Sequence, residues 1–411
     1  MKKEKGSWRV WLKDLLVMVL ILKVFLLFFS FVLHFFESLN PIEKALAEIE
    51  FSDLYYKQDH RERIPEENKI LIVNTGSLSN NTQGEFRNDL ANVISRIDSC
   101  TPSVLACDMI FKGNSNDAIA DQWLLQSLSS CRNLVLGSES SNANPALTAS
   151  LLNSISGNLE LNGDSLAVIR TYKLNHSFAY AVAKQANVNL NTELNGAIED
   201  SLIEIDYHYH SYLYNNLSDS STVRNPHFFD LVEAGELVNM SSYQLKELMK
   251  NRIVLIAHVG SGNAGNRFDV EDRHLTPHGN EDIIHRASVT PGVFIHAEVI
   301  QMLLNNRFAH PINKWTKILI ENLILVLVAL LYLRISLTSI WFKPIVVPFA
   351  FAMSFLLIFI SLQFRDHLIL WQVGFLNLQM IVLIEVLEFY EPIALWMKKK
   401  WKFNTVFKHH D

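Results

Sequence analysis

Hydrophobic and polar positions divide the chain into an apolar start, a mixed middle and an apolar end. Positions 15–36 are almost uninterruptedly apolar, about the 20 residues that a helix needs to cross a hydrocarbon core. Runs of the same kind return at 316–335, 344–363 and 368–390. Between them, residues 38–314 alternate short β-branched runs with helical spacing. Ile70-Leu71-Ile72-Val73 reads as a strand ending at Asn74, and 86–97 then places Leu90, Val93, Ile94 and Ile97 on one helical face. Strands at 104–111 and 133–136 with a helix at 117–128 continue the pattern. Residues 138–200 read as loops and irregular strands with one helix near 178–186. A strand at 202–205, a capped helix at 241–250, a strand at 252–257, a polar loop at 259–291 and a helix at 293–304 complete the region. Strand and helix in alternation predict a largely parallel sheet covered by helices. The expected fold class is an α/β domain plus four transmembrane α-helices.

Charge orients those expected spans. Lys2, Lys3, Lys5, Arg9 and Lys13 precede the first run, so the positive-inside bias keeps residues 1–14 cytoplasmic and sends 38–314 outward. The same rule places Arg334 and Lys343 inside, Arg365 outside, and the basic tail 391–411 inside. The expectation is a multi-pass protein with both termini cytoplasmic and the lipid bilayer as its surroundings. Within the runs, Lys23 and Glu385 are an expected intramembrane charge pair, with a snorkelling Lys23 as the alternative.

Composition removes several functions. With 36 Lys and Arg against 42 Asp and Glu, the net charge of −6 offers no basic field for a nucleic acid. Three cysteines lack zinc-site spacing; Cys107 reads as a buried apolar thiol, with a Cys100–Cys107 bridge left open. No nucleophile elbow, P-loop or H-E-x-x-H occurs, so neither an enzyme nor a cofactor is expected. His274, His278 and His285 with Asp269 and Asp272 resemble metal ligands in type only, because Pro277 breaks the helical spacing; no metal site is assigned.

The candidate chemistry is a binding crevice. Ligands of open parallel sheets sit beyond the carboxyl ends of the strands, where Asn74, Asp108 and His258 are expected. The loop at 260–291 adds Asp272, His274 and Thr276, and His296 opens the next helix. The competing reading is structural: Asp108 as a cap or loop anchor, His296 as a satisfied histidine packing its helix.

Several local sequences carry a resemblance. Phe51-Ser52-Asp53-Leu54-Tyr55-Tyr56, Asp108-Met109-Ile110-Phe111, Arg252-Ile253-Val254-Leu255-Ile256-Ala257, Asp272-Arg273-His274-Leu275-Thr276-Pro277 and Pro291-Gly292-Val293-Phe294-Ile295-His296-Ala297 occur in this order. Together with the expected spans, they resemble bacterial membrane proteins that carry the CHASE2 sensor domain. The resemblance implies an extracytoplasmic sensor in the bacterial inner membrane. The chain departs from the family pattern at Asn74, where the family usually has an acid, and at Glu298, where it often has Asn. Only about 20 residues follow Phe389, too few for a fused output domain. The expected function is therefore recognition of a small molecule or envelope signal and its relay through the helices to a separate protein partner. A homo-oligomer is compatible with that reading, and the alternative is a scaffold subunit of a cell-envelope complex.

Overall fold

The computed structural model describes residues 8–35, 69–78, 82–111, 113–138, 151, 155–161, 168–186, 202–207, 214–217, 229–260, 272–276, 290–307, 310–311, 314–336, 352, 356, 359, 369–370 and 389–406. The chain forms two compact units, one of Met1–Tyr55 with His310–Asp411, the other of Tyr56–Ala309.

The second unit is built on a parallel sheet. Its strands are β1 (Ile70–Asn74), β2 (Val104–Asp108), β3 (Leu134–Ser138), β4 (Ile155–Asn158), β7 (Tyr214–Asn216), β8 (Phe229–Glu233) and β9 (Ile253–Ala257), in the order β4-β3-β2-β9-β1-β8-β7. Every neighbouring pair is parallel. Such a sheet must be covered on both faces, which explains the continuous apolar runs of β1 and β9, buried at all five positions.

Side chains alternate between the two faces. On one, Leu71, Val73, Leu105, Cys107, Leu134, Leu136, Val254 and Ile256 join a core with α1 (Gln83–Ser99), α2 (Ala118–Ser130), α4 (Ala234–Leu237) and α5 (Ser242–Met249). Three of these helices start at a capping side chain. Thr82 accepts from the Glu85 N–H, Asp117 from those of Ile119 and Ala120, and Ser241 forms a capping box with Gln244. The other face lies under α3 (Phe178–Gln185) and α6 (Gly292–Leu304), with Phe229 of β8 6.0 Å from Phe294 of α6. Helix α6 is buried at every position from Gly292 to Leu303. Two short antiparallel ladders complete the unit: β5 (Thr171–Lys173) with β6 (Leu202–Glu204), and β10 (Arg273–His274) with β11 (Thr290–Pro291).

Most of the expected α/β elements are present, with informative differences. The strand expected at 104–111 ends at Asp108. The strand expected at 202–205 pairs outside the main sheet. β8 was not expected, because Phe229-Asp230-Leu231-Val232-Glu233 is too short and too acidic to separate strand from helix by periodicity. All three cysteines are free, and Cys107 is buried with its thiol pushed up by desolvation.

The first unit corrects the membrane expectation. Its helices Trp8–Phe35 and Lys314–Ser336 cover the first two apolar runs. Among the described residues, however, no helix is long and apolar enough to cross a membrane. Most of 344–363 and 368–390 lies outside the described residues, and Ile369–Leu370 pairs as a short strand with His310–Pro311. The four-span architecture, the bilayer as partner, the inner-membrane location, the outward placement of 38–314 and the transmembrane relay rested on those spans and are withdrawn with them. An apolar run reports that a helix hides from water, and packed protein can hide it as well as lipid can. Here Leu15, Met18, Ala329, Leu333, Tyr390, Ala394 and Met397 are buried against one another, while Leu12, Leu16, Leu20, Val24 and Phe28 are exposed. Lys23 is exposed, and its expected partner Glu385 lies outside the described residues.

One packing contact allows a direct test of the α/β unit. A Cβ on Gly157 of β4 would stand 2.5 Å from the Phe178 Cα and 2.8 Å from its N, so β4 meets the start of α3 backbone to backbone. Gly157→Ala should destabilise the unit by about 1–3 kcal/mol. Urea unfolding followed by tyrosine and tryptophan fluorescence measures this, and an unchanged midpoint would contradict the close approach.

Candidate functional site

Register decides what meets at the carboxyl edge of the sheet. Asn74 pairs with Glu233 on one side and Ala257 on the other, and Ala257 pairs with Asp108. These four residues therefore stand level at the ends of β8, β1, β9 and β2. By alternation they share the face beneath α3 and α6, with Asn74 and Asp108 separated by one strand, roughly 10 Å.

Asn74 is a structural hub. Its Nδ2 donates to Glu233 Oε1 (2.9 Å) and Oε2 (3.1 Å) and to the Gly260 carbonyl (2.9 Å). Its Oδ1 accepts from the N–H groups of Gly76 (3.0 Å) and Val259 (2.8 Å). Both amide hydrogens and both lone pairs are thus employed, fastening the chain after β1 and β9 to the end of β8. A ligand would have to break this network to use Asn74.

His296 is likewise engaged. It is 2% exposed, and its ring lies edge-on to Tyr172 (5.7 Å) and Phe178 (5.4 Å). Burial lowers its pKa to about 4, so the ring is neutral near pH 7. Its Nδ1 lies 2.8 Å from Tyr172 Oη, within hydrogen-bond reach. Tyr172 Oη in turn accepts from the Ala179 N–H at 3.4 Å. Thr276 is fully buried, with its Oγ1 3.0 Å from that of Thr290.

Asp272 and His274 meet at the start of α6. His274 Nε2 lies 2.7 Å from Asp272 Oδ1, and the Gly292 N–H bonds to the Asp272 carbonyl at 3.2 Å. Partial desolvation raises the Asp272 pKa, but the bond and charge of His274, the charge that His296 acquires only in acid and the Gly292 N–H outweigh it and hold the group below the usual carboxylate range. A Cβ on Gly292 would fall on this carboxylate, so a larger residue there would push the Asp272 side chain aside.

Asp108 differs from its neighbours. It is part-exposed, and among the described residues its carboxyl makes no side-chain hydrogen bond. Desolvation and then the negative charge of Asp272 push its pKa up to about 8. Near pH 7 it is therefore largely a neutral acid that offers a proton donor. The following loop is anchored by Arg87, whose Nη1 meets Asp121 Oδ1 at 2.5 Å and whose Nη2 donates to the Gly113 carbonyl at 2.9 Å. Asp121 also accepts from the Ser115 N–H (2.8 Å) and Oγ (2.7 Å), and these bonds lower its pKa against the opposing effect of desolvation.

The expected residues thus divide. Asp108 feels Asp272, and Asp272 feels His274 and His296, so these four share one electrostatic neighbourhood with Tyr172. Thr276 meets Thr290, which pairs with His274 on the β10–β11 ladder. Asn74 stands one strand away, and His258 is exposed and bonds to none of them among the described residues. Tyr172, Glu233 and Gly292 were not expected; the Pro291-Gly292 pair before an apolar helix was the available signal for the last. Among the described residues no group of histidines, cysteines and carboxylates could hold a metal ion, and His278 and His285 lie outside them. A separate cavity of about 1290 Å3 opens at the opposite, amino edge, where Lys69, Ser103 and Arg252 precede their strands and Arg252 pairs with Asp230.

The Asn74 hub has a measurable consequence. Asn74→Asp replaces two donors with a carboxylate facing Glu233 and the Gly260 carbonyl, and should cost about 3 kcal/mol at pH 7. The loss should shrink near pH 4 as the acids protonate. Equal unfolding midpoints for the two proteins at pH 7 would refute the assignment.

No curated protein and no solved structure matches the chain. Residues 19–333 match the family described as the CHASE2 domain, a sensor module without catalytic activity of its own. With a parallel sheet, helices on both faces and this match over most of its length, the chain belongs to the CHASE2 domain family.

Proposed function

We propose that the α/β unit is a non-catalytic recognition domain that binds a small polar molecule at the carboxyl edge of its sheet, around Asp108. The observation that carries this reading is the contrast at that edge. Asn74, Thr276 and His296 are committed to the protein's own hydrogen bonds, whereas Asp108 is part-exposed and lacks such a bond among the described residues. A polar group desolvated enough to shift its titration, yet still open to solvent, gains most from a ligand that supplies the missing partner. Near neutrality the ligand would accept a hydrogen bond from the Asp108 acid, with the Asp272–His274 pair beside it. The placement also follows the habit of open parallel sheets. The amino-edge cavity is the second reading, favoured by its volume.

The state of Asp108 can be read without a ligand. Its folded pKa of about 8 lies above the unfolded ~3.9, so the folded state holds the extra proton. The stability associated with this group is greatest below about pH 4 and declines until about pH 8. Asp108→Asn keeps the shape and removes the charge, so it should flatten that decline and unfold at a higher temperature than the wild type at pH 8. A mutant curve parallel to the wild type would show that Asp108 ionises normally.

Binding is tested by a thermal-shift panel of small carboxylic acids, amides and amines on the full chain at pH 7. A compound that stabilises the wild type should lose about tenfold in affinity in Asp108→Ala, the loss expected for one hydrogen bond. Affinity unchanged in Asp108→Ala but reduced in Tyr243→Ala or Lys250→Glu would move the site to the amino-edge cavity and overturn the proposal.

A further inference from the structure

Within the unit formed by the two ends of the chain, Asp14 occupies an unusual position. It lies in the helix Trp8–Phe35 with no exposure to solvent, beside the buried Leu15 and Met18. No lysine or arginine pairs with it among the described residues. Instead, three donors converge on its carboxylate: Tyr390 Oη donates to Oδ1 at 2.6 Å, and Thr405 Oγ1 (3.1 Å) and the Val406 N–H (2.7 Å) donate to Oδ2. A buried carboxylate without a cation is tolerable only when such donors replace its water. Burial and the contact with Asp14 push the Tyr390 phenol pKa up, so it remains a donor.

The donors come from one continuous piece of chain. Residues 389–401 are helical, and Tyr390, Ala394 and Met397 pack on Leu15, Met18, Ala329 and Leu333. The chain then reverses at Lys402, whose φ of 52° lies in the left-handed region that a non-glycine residue enters at a cost. After this turn the Phe403 N–H reaches the Met397 carbonyl at 3.4 Å, and Phe403 and Val406 lie against the same apolar cluster. The segment folds back on its own helix and is fastened at its far end to a helix that begins the chain.

We propose that residues 402–406 form a strap, latched by Asp14 and strained at Lys402, that opens and closes as a local two-state element while both helices stay folded. The latch concentrates its bonds on Thr405 and Val406, at the end of the segment, and the strained turn favours opening once those bonds are lost. Opening would uncover the Asp14 carboxylate beside a segment that carries Lys398, Lys399, Lys400 and Lys402. Any added negative charge at Thr405 would act on the latch directly, because it would face Asp14.

Hydrogen exchange at the Val406 amide of the full chain reads the strap directly. The wild-type amide should be protected. Asp14→Asn and Thr405→Glu should each speed its exchange by about tenfold or more, the loss of a charge-assisted hydrogen bond, with the amides of 14–21 and 390–397 still protected. Lys402→Gly, which removes the left-handed penalty, should slow it. Thr405→Glu leaves the N-terminal helix unaltered and keeps the test valid if Asp14→Asn fails to fold. A wild-type Val406 amide that exchanges as fast as in Thr405→Glu, mutants that speed exchange throughout both helices, or a Lys402→Gly protein no slower than the wild type would overturn the latched and strained strap.

Discussion

The α/β unit depends on a parallel sheet buried on both faces. Because β1 and β9 have no solvent side, all their side chains within the sheet must be apolar, and polarity is confined to where the strands stop. The in-register pairing of β8, β1, β9 and β2 brings those stopping points to one level. Alternation then turns Glu233, Asn74, Ala257 and Asp108 to one face. The polar groups of the carboxyl edge are consequently neighbours through topology, although Asn74 and Glu233 lie 159 residues apart in sequence. The same register gathers Lys69, Ser103 and Arg252 at the opposite edge, where Arg252 pairs with Asp230.

Polar groups at the rim of an apolar slab have a limited set of stable states, and this chain uses several. Asn74 stays neutral and fills all its bonding positions. His296 gives up its charge and takes its place in a chain of hydrogen bonds through Tyr172. Asp121 keeps its charge and surrounds itself with donors, which hold its pKa down. Asp108 gives up its charge by holding a proton, without an internal bond to compensate. Asn at position 74 is consistent with the carboxylate that Glu233 presents to it, since an acid there would oppose a second acid.

Much of the α/β unit was legible because its signals are local. β1, β3 and β9 are short apolar runs bounded by turn residues, and α1, α2 and α5 start at side chains that cap them. Strand order was not legible: β9 lies between β1 and β2, a long-range pairing that no local pattern encodes. Of the site, Asp108, Asp272, His274 and His296 could be grouped by placing strand ends and one loop on a common edge. Tyr172 could not, because it reaches His296 across 124 residues from a stretch without clear periodicity. His296 itself is 2% exposed, with its Nδ1 held 2.8 Å from Tyr172 Oη.

The apolar ends of the chain show where hydropathy stops being diagnostic. A long apolar helix must hide from water, but its composition does not name the partner that hides it. Asp14 supplies information that an averaged hydropathy discards. A carboxylate inside such a helix needs donors, and three donors from one distant segment mean that this stretch of helix is matched to protein there. Leu15 and Met18 beside it, closed over by Tyr390, Ala394 and Met397, belong to the same contact. A single polar residue in an apolar run can therefore identify the side that packs against protein, because its hydrogen bonds have direction and the hydrophobic effect has none.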